Sequence, residues 1–405
     1  MKSVTIVGGG VIGLCTGVRL AQAGHRVCVI DDDSDRSAAS WGNAGHIATE
    51  QVQPLASPAN LRSVAGQLFA FGGPVALPPG QIAHWLPFGM RMAARSTPQQ
   101  FRAGHAALGA LMAQAMPAWQ RMIDGIGAAD LLRADGHFVL WPDHRTADRA
   151  RAVWQQTDTG TATFRSLTSQ EQARLETLGT PFTDGIRFEG TGSITHLGAL
   201  AEALEAALLA SGGILQRGTA RLSPDRRFAS VEGSEADITI VTAGARSGSL
   251  LRRFGYRVPL IAERGYHIRA DGGGWDATLP PVVFESRNMI VTRYSDCVQA
   301  ASFVEFGAID APPDPRKWRR LEQHVAELGL PIRSPYRRWM GRRPTLPDYL
   351  PAIGCSRRAD GLLYAFGHQH LGLTLAAATA EAMVALVDER DTALDLTPFD
   401  LERFA

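Results

Sequence analysis

The chain has 405 residues, of which 45% are hydrophobic and 20% are charged, the balance of a globular protein large enough for two domains. Its 41 basic and 40 acidic residues give a net charge of +1, which argues against a nucleic-acid partner. The chain shows no run of about 20 apolar residues, so no membrane-spanning helix is expected. The four cysteines are scattered, which excludes a metal cluster built on C-x-x-C spacing and favours a reducing compartment.

The first thirty-one residues predict a dinucleotide-binding unit. They begin with a β-branched strand at residues 4–7, which is followed by Gly8, Gly10 and Gly13 in G-x-G-x-x-G spacing. A helix at residues 14–23, a second strand at residues 26–30 and the acid Asp31 complete the unit. Such units place a ribose-binding carboxylate about 20 residues after the glycines. Asp31 lies 18 residues beyond Gly13, so we expect it to take that role.

Residues 40–47, Ser-Trp-Gly-Asn-Ala-Gly-His-Ile, form a loop of small residues around Asn43. Such a sequence lets the backbone approach a flat group closely, although a plain glycine-rich loop has the same composition. His46 in this loop is a candidate site residue, whereas a lone histidine is more often structural.

Residues 64–92 combine many large apolar side chains with several prolines and glycines, and Arg91 and Arg95 follow. One interpretation is a helix and loop that pack on the substrate domain. The alternative is a surface element that contacts a membrane or an electron-acceptor protein.

The middle of the chain alternates predicted helices and strands. Residues 97–126 carry a helical apolar stripe expected in the core, residues 197–210 form an Ala/Leu helix, and residues 312–328 form a charged, exposed helix. Residues 237–245 read as a buried strand ending in the small residues Ala243 and Gly244, which suits a chain passing under a nucleotide.

Two motifs in the last third are more specific than the glycine fingerprint. Residues 341–354 read G-x-R-P-x-x-P-D-x-x-P-x-x-G, and residues 367–374 read G-H-x-x-L-G-x-T between a strand and a long Ala-rich helix. Together with residues 8–13, Asp31 and residues 40–45, they resemble the flavin-dependent D-amino-acid oxidase superfamily. Within it, the bacterial D-amino-acid dehydrogenases are most similar.

This resemblance implies an α/β (α+β) fold. A Rossmann-like FAD-binding domain would interleave with a substrate domain built on a mixed, largely antiparallel sheet. We assign residues 1–75, 191–255 and 339–405 to the FAD-binding domain, and residues 76–190 and 256–338 to the substrate domain.

The resemblance also implies one FAD per chain and a set of contacts to it. The residues expected to contact FAD are Gly8, Gly10, Val11, Ile12, Gly13, Asp31, Asp32, Ser40, Asn43, Ala44, Gly45, His46, Ile47, Ala243, Gly244, Arg343, Gly367, His368, His370, Leu371, Gly372, Leu373 and Thr374. His370 departs from the small residue usual at its position, which leaves the shape of the substrate pocket open.

For the substrate, the resemblance implies that Arg343 binds an α-carboxylate, because a guanidinium fork suits a bidentate contact. The neighbouring Arg342 is the alternative. Arg264 and Tyr266 are expected to border the pocket, although a strand tyrosine is more often simply packed. His46 completes the set of candidate catalytic residues.

The activity implied is oxidative deamination of a D-amino acid, with hydride passing from the α-carbon to flavin N5 and the imino acid then hydrolysed to a 2-oxo acid. A cyclic imino acid such as D-proline or cis-4-hydroxy-D-proline is a neighbouring substrate. Electrons would pass to a quinone or another acceptor. The alternatives are a sarcosine- or glycine-oxidase-like secondary-amine oxidase and a non-catalytic FAD-binding subunit. The expected location is the cytoplasm, with a peripheral contact to the inner membrane as a further alternative.

Overall fold

The computed structural model describes residues 1–225, 228–231 and 236–405. The α-helices in these ranges are α1 (Val11–Gln22), α2 (Pro58–Ser63), α3 (Ile82–Arg95), α4 (Pro98–Met112), α5 (Ala115–Ile126), α6 (His144–Gln156), α7 (Ser169–Glu176), α8 (Leu197–Ala210), α9 (Ser247–Leu251), α10 (Pro315–Glu327) and α11 (Gly372–Val387). The strands are β1 (Ser3–Val7), β2 (Arg26–Asp31), β3 (His46–Ile47), β4 (Val75–Ala76), β5 (Leu132–Arg133), β6 (His137–Trp141), β7 (Thr163–Ser166), β8 (Asp184–Glu189), β9 (Gly192–Ile194), β10 (Ile214–Arg217), β11 (Leu222–Asp225), β12 (Phe228–Val231), β13 (Ile238–Val241), β14 (Ile261–Ala270), β15 (Val282–Phe284), β16 (Met289–Arg293), β17 (Val298–Gly307), β18 (Arg337–Thr345), β19 (Ala352–Cys355) and β20 (Leu362–Phe366).

The first sheet has the strand order β10-β2-β1-β13-β20-β19. The first five strands in this order pair in parallel with their neighbours. The sixth strand, β19, pairs with β20 in the antiparallel sense. The predicted strand of residues 4–7 is the core of β1, where Val4 and Ile6 pack into one hydrophobic cluster and Val7 into another. Burial on both faces explains why this strand is a continuous apolar run.

The second sheet has the order β18-β14-β17-β16-β15-β6-β8-β7, with β4 added beside β17. Its pairs are antiparallel except for β15 with β6 and β17 with β4. A third, small sheet joins β3, β9 and β5. The predicted fold class, a Rossmann-like domain interleaved with a domain on a mixed, largely antiparallel sheet, is confirmed.

Helices α1, α5, α8 and α11 cover one face of the first sheet and share its hydrophobic core. The predicted apolar stripe of residues 97–126 lies in that core, although the chain divides it into α4 and α5 at a turn around Gln114. The predicted helix of residues 197–210 is α8. The helical segment Gln369–Val387 is long and apolar enough to cross a bilayer, contrary to the sequence-based expectation. Two thirds of it is buried inside the protein, and core helices of this kind meet the same criterion.

The five-segment domain division stays a prediction. Two placements differ from it. Helix α5, inside the segment assigned to the substrate domain, packs on α11 in the helical layer of the first sheet. Strand β18 begins just before the boundary at residue 338 and runs on to Thr345, and all of it belongs to the second sheet.

Helix α10 corrects the expectation of an exposed helix over residues 312–328. Its Lys317, Leu321, His324 and Val325 are buried against β14 and β17. The charged residues that suggested exposure lie on the opposite face or pair with buried partners. This helix decides which side of β14 is available to a ligand.

Candidate active site

A cavity of about 1140 Å³ lies where the two large sheets meet. One end is lined by the loop after β1 and the end of β2, the place where open α/β sheets bind nucleotides. The other end is lined by residues of β14, β17 and β18 from the second sheet. The cavity therefore joins the glycine turn after β1, called the dinucleotide cradle below, to a pocket formed by the second sheet.

At the nucleotide end, the chain turns from β1 into α1 through Gly8, Gly9 and Gly10, which line the cavity with Val11 and Ile12. Gly8 has φ +110°, a conformation that only glycine adopts readily. A Cβ at Gly10 would meet only the Oγ of Ser40, at 3.1 Å, so the protein itself leaves this backbone open toward the cavity. The cradle thus fits a pyrophosphate at the start of α1.

Gly13 does not line the cavity among the described residues, and its role is packing. A Cβ there would lie 1.9 Å from the carbonyl oxygen of Gly8, so only glycine lets α1 approach β1. The Oγ of Ser40 accepts a hydrogen bond from the Val11 N–H at 3.1 Å and so fixes the following loop at the helix start.

Asp31 lies at the end of β2 and lines the cavity together with Asp32. Burial raises the pKa of the Asp31 carboxyl, opposed by hydrogen bonds from the Asp33 and Gly9 backbone. Its nearest cation is Arg217, 3.7 Å away. The carboxylate is thus placed at the cavity wall where the spacing predicted a ribose contact. Ala243 and Gly244, after β13, line the same end.

In the loop of residues 40–47, Asn43, Ala44 and His46 line the cavity, whereas Gly45 and Ile47 pack behind it. The backbone is held from the second sheet by Tyr294 Oη, which donates to the Asn43 carbonyl at 2.7 Å. The flat group that this loop approaches at Gly42 is the Trp339 indole, since a Cβ on Gly42 would lie 2.3 Å from it.

The segment between β20 and α11 and the first residues of that helix line the cavity through His368, His370, Leu371, Gly372 and Leu373. Two neighbours in the same motif have supporting positions. Gly367, with φ +82°, makes the turn out of β20. The Oγ1 of Thr374 accepts from the Ala48 N–H at 3.0 Å and ties the loop after β3 to α11.

Both histidines of this motif are neutral because burial lowers their pKa, to about 3 for His368 and about 4 for His370. His368 Nε2 pairs with Thr379 Oγ1 at 3.0 Å, and His370 Nε2 pairs with Gln51 Oε1 at 2.7 Å. His370 therefore fills part of the pocket with a fixed, uncharged ring.

Arg343 on β18 lines the second-sheet end of the cavity. Its guanidinium lies flat over Gly265, where an added Cβ would meet Nη2 at 2.3 Å and Cζ at 2.4 Å. The Nη1 is 3.4 Å from Oε1 of the buried Glu263, whose Oε2 accepts from Thr345 and Tyr349 hydroxyls at 3.0 and 3.2 Å. Arg342 also lines the cavity, but its Nε donates to the Ile309 carbonyl at 2.6 Å.

Arg264 and Tyr266 do not border this cavity, which corrects the sequence-based expectation. Side chains alternate along β14, so these two face α10, while Glu263 lies on the opposite face and lines the cavity. Arg264 pairs with the buried Glu305, and Tyr266 Oη donates to the same carboxylate at 2.9 Å. Lys317 of α10 also pairs with Glu305, and these four residues form a buried charge network.

His46 lines the cavity, and its buried Nε2 has no hydrogen-bond partner. Burial lowers its pKa to about 4, so the ring is neutral. Near it lies Glu50, a buried carboxyl that the sequence analysis missed because no periodic pattern marks a single acid in a loop. Glu263 and Trp339 were missed as well, although the alternation along β14 could have identified Glu263.

Residues 3–386 match the family described as DAO, FAD dependent oxidoreductase. The chain belongs to this family, and FAD is its cofactor. Over 419 residues it is 29% identical to a D-amino-acid oxidase of Bradyrhizobium diazoefficiens, covering 100% of this chain and 99% of the relative. It is 26% identical to a D-amino acid dehydrogenase of Cereibacter sphaeroides, covering 99% and 95%. The crystal structure of glycine oxidase from Geobacillus kaustophilus shares the fold with a TM-score of 0.71, at 21% identity over 99% of each chain.

Proposed function

We propose that this flavoprotein oxidises the α-carbon–nitrogen bond of a D-amino acid, and that the imino acid product is hydrolysed to a 2-oxo acid and ammonia. One observation carries the proposal: the Arg343 guanidinium lines the same cavity as the dinucleotide cradle. A carboxylate is the natural ligand for a fixed guanidinium fork. The names of the two relatives above support the amino-acid class and the D configuration.

Bound FAD supplies the two-electron oxidation. The protein's part is to hold the substrate in one orientation. Arg343 would take the carboxylate, with Glu263 fixing the guanidinium from behind and Gly265 leaving room for it to lie flat. The wall of the pocket formed by Ile290, Phe303 and Val304 is apolar and suits an uncharged side chain or ring, such as that of D-proline or cis-4-hydroxy-D-proline.

For the electron acceptor, we propose a quinone or a membrane-side carrier, reached through peripheral contact with the cytoplasmic face of a membrane. The supporting observation is the surface of residues 64–90. Five of the ten large hydrophobic side chains exposed in the described ranges lie there: Val64, Phe71, Ile82, Leu86 and Met90. Large exposed apolar patches on a protein surface commonly mark interaction sites.

The test is anaerobic reduction of the flavin absorbance in purified protein, with D- and L-amino acids, D-proline, cis-4-hydroxy-D-proline, sarcosine and glycine. We expect bleaching by D-compounds alone. Bleaching only by sarcosine or glycine would replace the proposal with a secondary-amine oxidase. A yellow protein that no compound in the panel bleaches would favour a non-catalytic FAD-binding subunit.

A further inference from the structure

A cluster of three side chains able to bind a metal lies at the wall of the cavity, and two of the three line it. It consists of His46 on β3, Glu50 in the loop that follows β3, and His137 on β6 of the second sheet. One donor atom from each side chain lies within 4.8 Å of the other two. All three residues are buried.

Two atoms of the cluster are buried without any hydrogen-bond partner, His46 Nε2 and Glu50 Oε2. The other oxygen of Glu50 accepts a long hydrogen bond, 3.4 Å, from the Gln51 side-chain amide. Unpartnered polar atoms are uncommon in protein interiors because each loses its hydration without compensation. Both atoms belong to side chains of the cluster, so one ligand that accepts electron pairs from nitrogen and oxygen would satisfy them together.

The third member is oriented for the same purpose. His137 Nδ1 pairs with Thr191 Oγ1 at 2.9 Å, which leaves Nε2 as its free donor atom. Ring contacts also fix its plane, because it stacks on Phe188 at 4.6 Å and meets His46 edge-on at 4.4 Å. A hydrogen bond to the second ring nitrogen is the usual way in which proteins orient a metal-binding histidine.

We propose that His46, Glu50 and His137 bind one divalent transition-metal ion of the zinc class. Two imidazoles and one carboxylate are a common zinc ligand set, and they leave a fourth position for water or a ligand. His46 and Glu50 line the cavity, so the open position faces it. The metal links β3 and the loop that follows it to strand β6 of the second sheet.

The test is calorimetric titration of Zn²⁺ into the FAD-loaded protein after dialysis against a chelator, with Co²⁺ as a spectroscopic probe of the coordination. We expect one ion per chain. Glu50→Gln and His137→Gln should each weaken binding by at least about 100-fold, since losing a ligand costs more than losing its second-shell support. His84→Gln, on exposed helix α3, is the matched control and should bind like the parent.

Flavin absorbance and circular dichroism identify variants that remain folded, and the Co²⁺ spectrum of the unmodified protein does not depend on any variant. No binding to the unmodified protein would overturn the proposal. Binding that persists in both Glu50→Gln and His137→Gln would overturn it as well.

Discussion

Glu263 and Arg343 face each other as register partners on β14 and β18, with the guanidinium Nη1 3.4 Å from the carboxylate Oε1. Glu263 is buried and receives hydroxyl hydrogen bonds from Thr345 and Tyr349. The carboxylate therefore has a fixed position, and it holds the arginine by one nitrogen. The rest of the guanidinium remains available to a ligand in the cavity.

Replacing Arg343 with alanine should raise the apparent KM for the amino acid by about 100-fold or more. The reason is the loss of two charge-assisted hydrogen bonds, each of which contributes about 1.5–3 kcal/mol. Steady-state kinetics with an artificial electron acceptor measure the change. Arg343→Lys should recover only part of the loss because an ammonium cannot make the bidentate contact. An unchanged KM in the alanine variant would remove Arg343 from the substrate site.

Gly265→Ala tests the same contact without changing any charged group. The added Cβ would lie 2.3 Å from the Arg343 guanidinium, whose flexible end can move away. We expect FAD content to stay normal while KM rises about tenfold, a loss of about 1.4 kcal/mol. Gly273→Ala is the control, since a Cβ there meets nothing within 4 Å. Equal kinetics in the two variants would argue that the guanidinium position is unimportant.

The nucleotide-binding unit could be predicted from sequence because its determinants are local. Residues 1–31 encode a buried strand, a glycine turn, a helix and a terminal acid in one short segment, and β1, α1 and β2 follow that pattern. Even the left-handed Gly24 after α1 follows from the preference of helix ends for glycine.

The substrate end was harder to predict because it depends on distant contacts. Which face of β14 meets the cavity is decided by α10, about 50 residues later, whose Lys317 draws Glu305, Arg264 and Tyr266 into a buried network. Glu50 was missed for a similar reason. Its importance arises from His137, which lies 87 residues away in sequence and comes close only in the folded protein.

Gly10→Val should give folded protein without flavin. A side chain there clashes with little of the protein itself, so the expected damage is to the pyrophosphate site. The ratio of flavin to protein absorbance and the circular dichroism spectrum measure the two effects separately. In Gly13→Ala, by contrast, the Cβ would lie 1.9 Å from a backbone oxygen, so we expect loss of folded protein. Stoichiometric FAD in Gly10→Val would contradict the assignment of the cradle.

Tyr266→Phe should lower stability without changing catalysis. The hydroxyl donates to Glu305 and accepts from the Asp314 N–H at 3.0 Å, and removing it leaves buried groups unpaired at a cost of about 1–3 kcal/mol in the free energy of unfolding. Denaturant titration measures that loss, and KM should remain that of the parent. Tyr336→Phe, which removes one hydrogen bond to the Ile332 carbonyl, is the control and should cost about 1 kcal/mol or less. A raised KM in Tyr266→Phe would return this residue to the substrate site.

The exposed apolar stripe of α3 makes the proposed membrane contact testable. Ile82, Leu86 and Met90 are four residues apart, so they share one helix face, and they are 50%, 44% and 61% exposed. Phe88 is buried on the other side against Ile261 and Phe306, so the helix is anchored while the stripe remains free. Burying one such side chain contributes about 1.5–3 kcal/mol when complete.

We therefore expect the triple variant Ile82→Ser, Leu86→Ser, Met90→Ser to bind phospholipid vesicles at least about tenfold more weakly than the parent in co-sedimentation, even if each side chain is only partly buried in lipid. The matched control replaces three exposed apolar residues that lie elsewhere, Val153, Leu209 and Ile214, with serine. It should bind vesicles like the parent, because isolated apolar side chains provide no continuous face. Equal losses in both triple variants would mean that general surface hydrophobicity drives the binding. A parent protein that stays in the supernatant would rule out the membrane contact and leave a soluble carrier or oxygen as the acceptor.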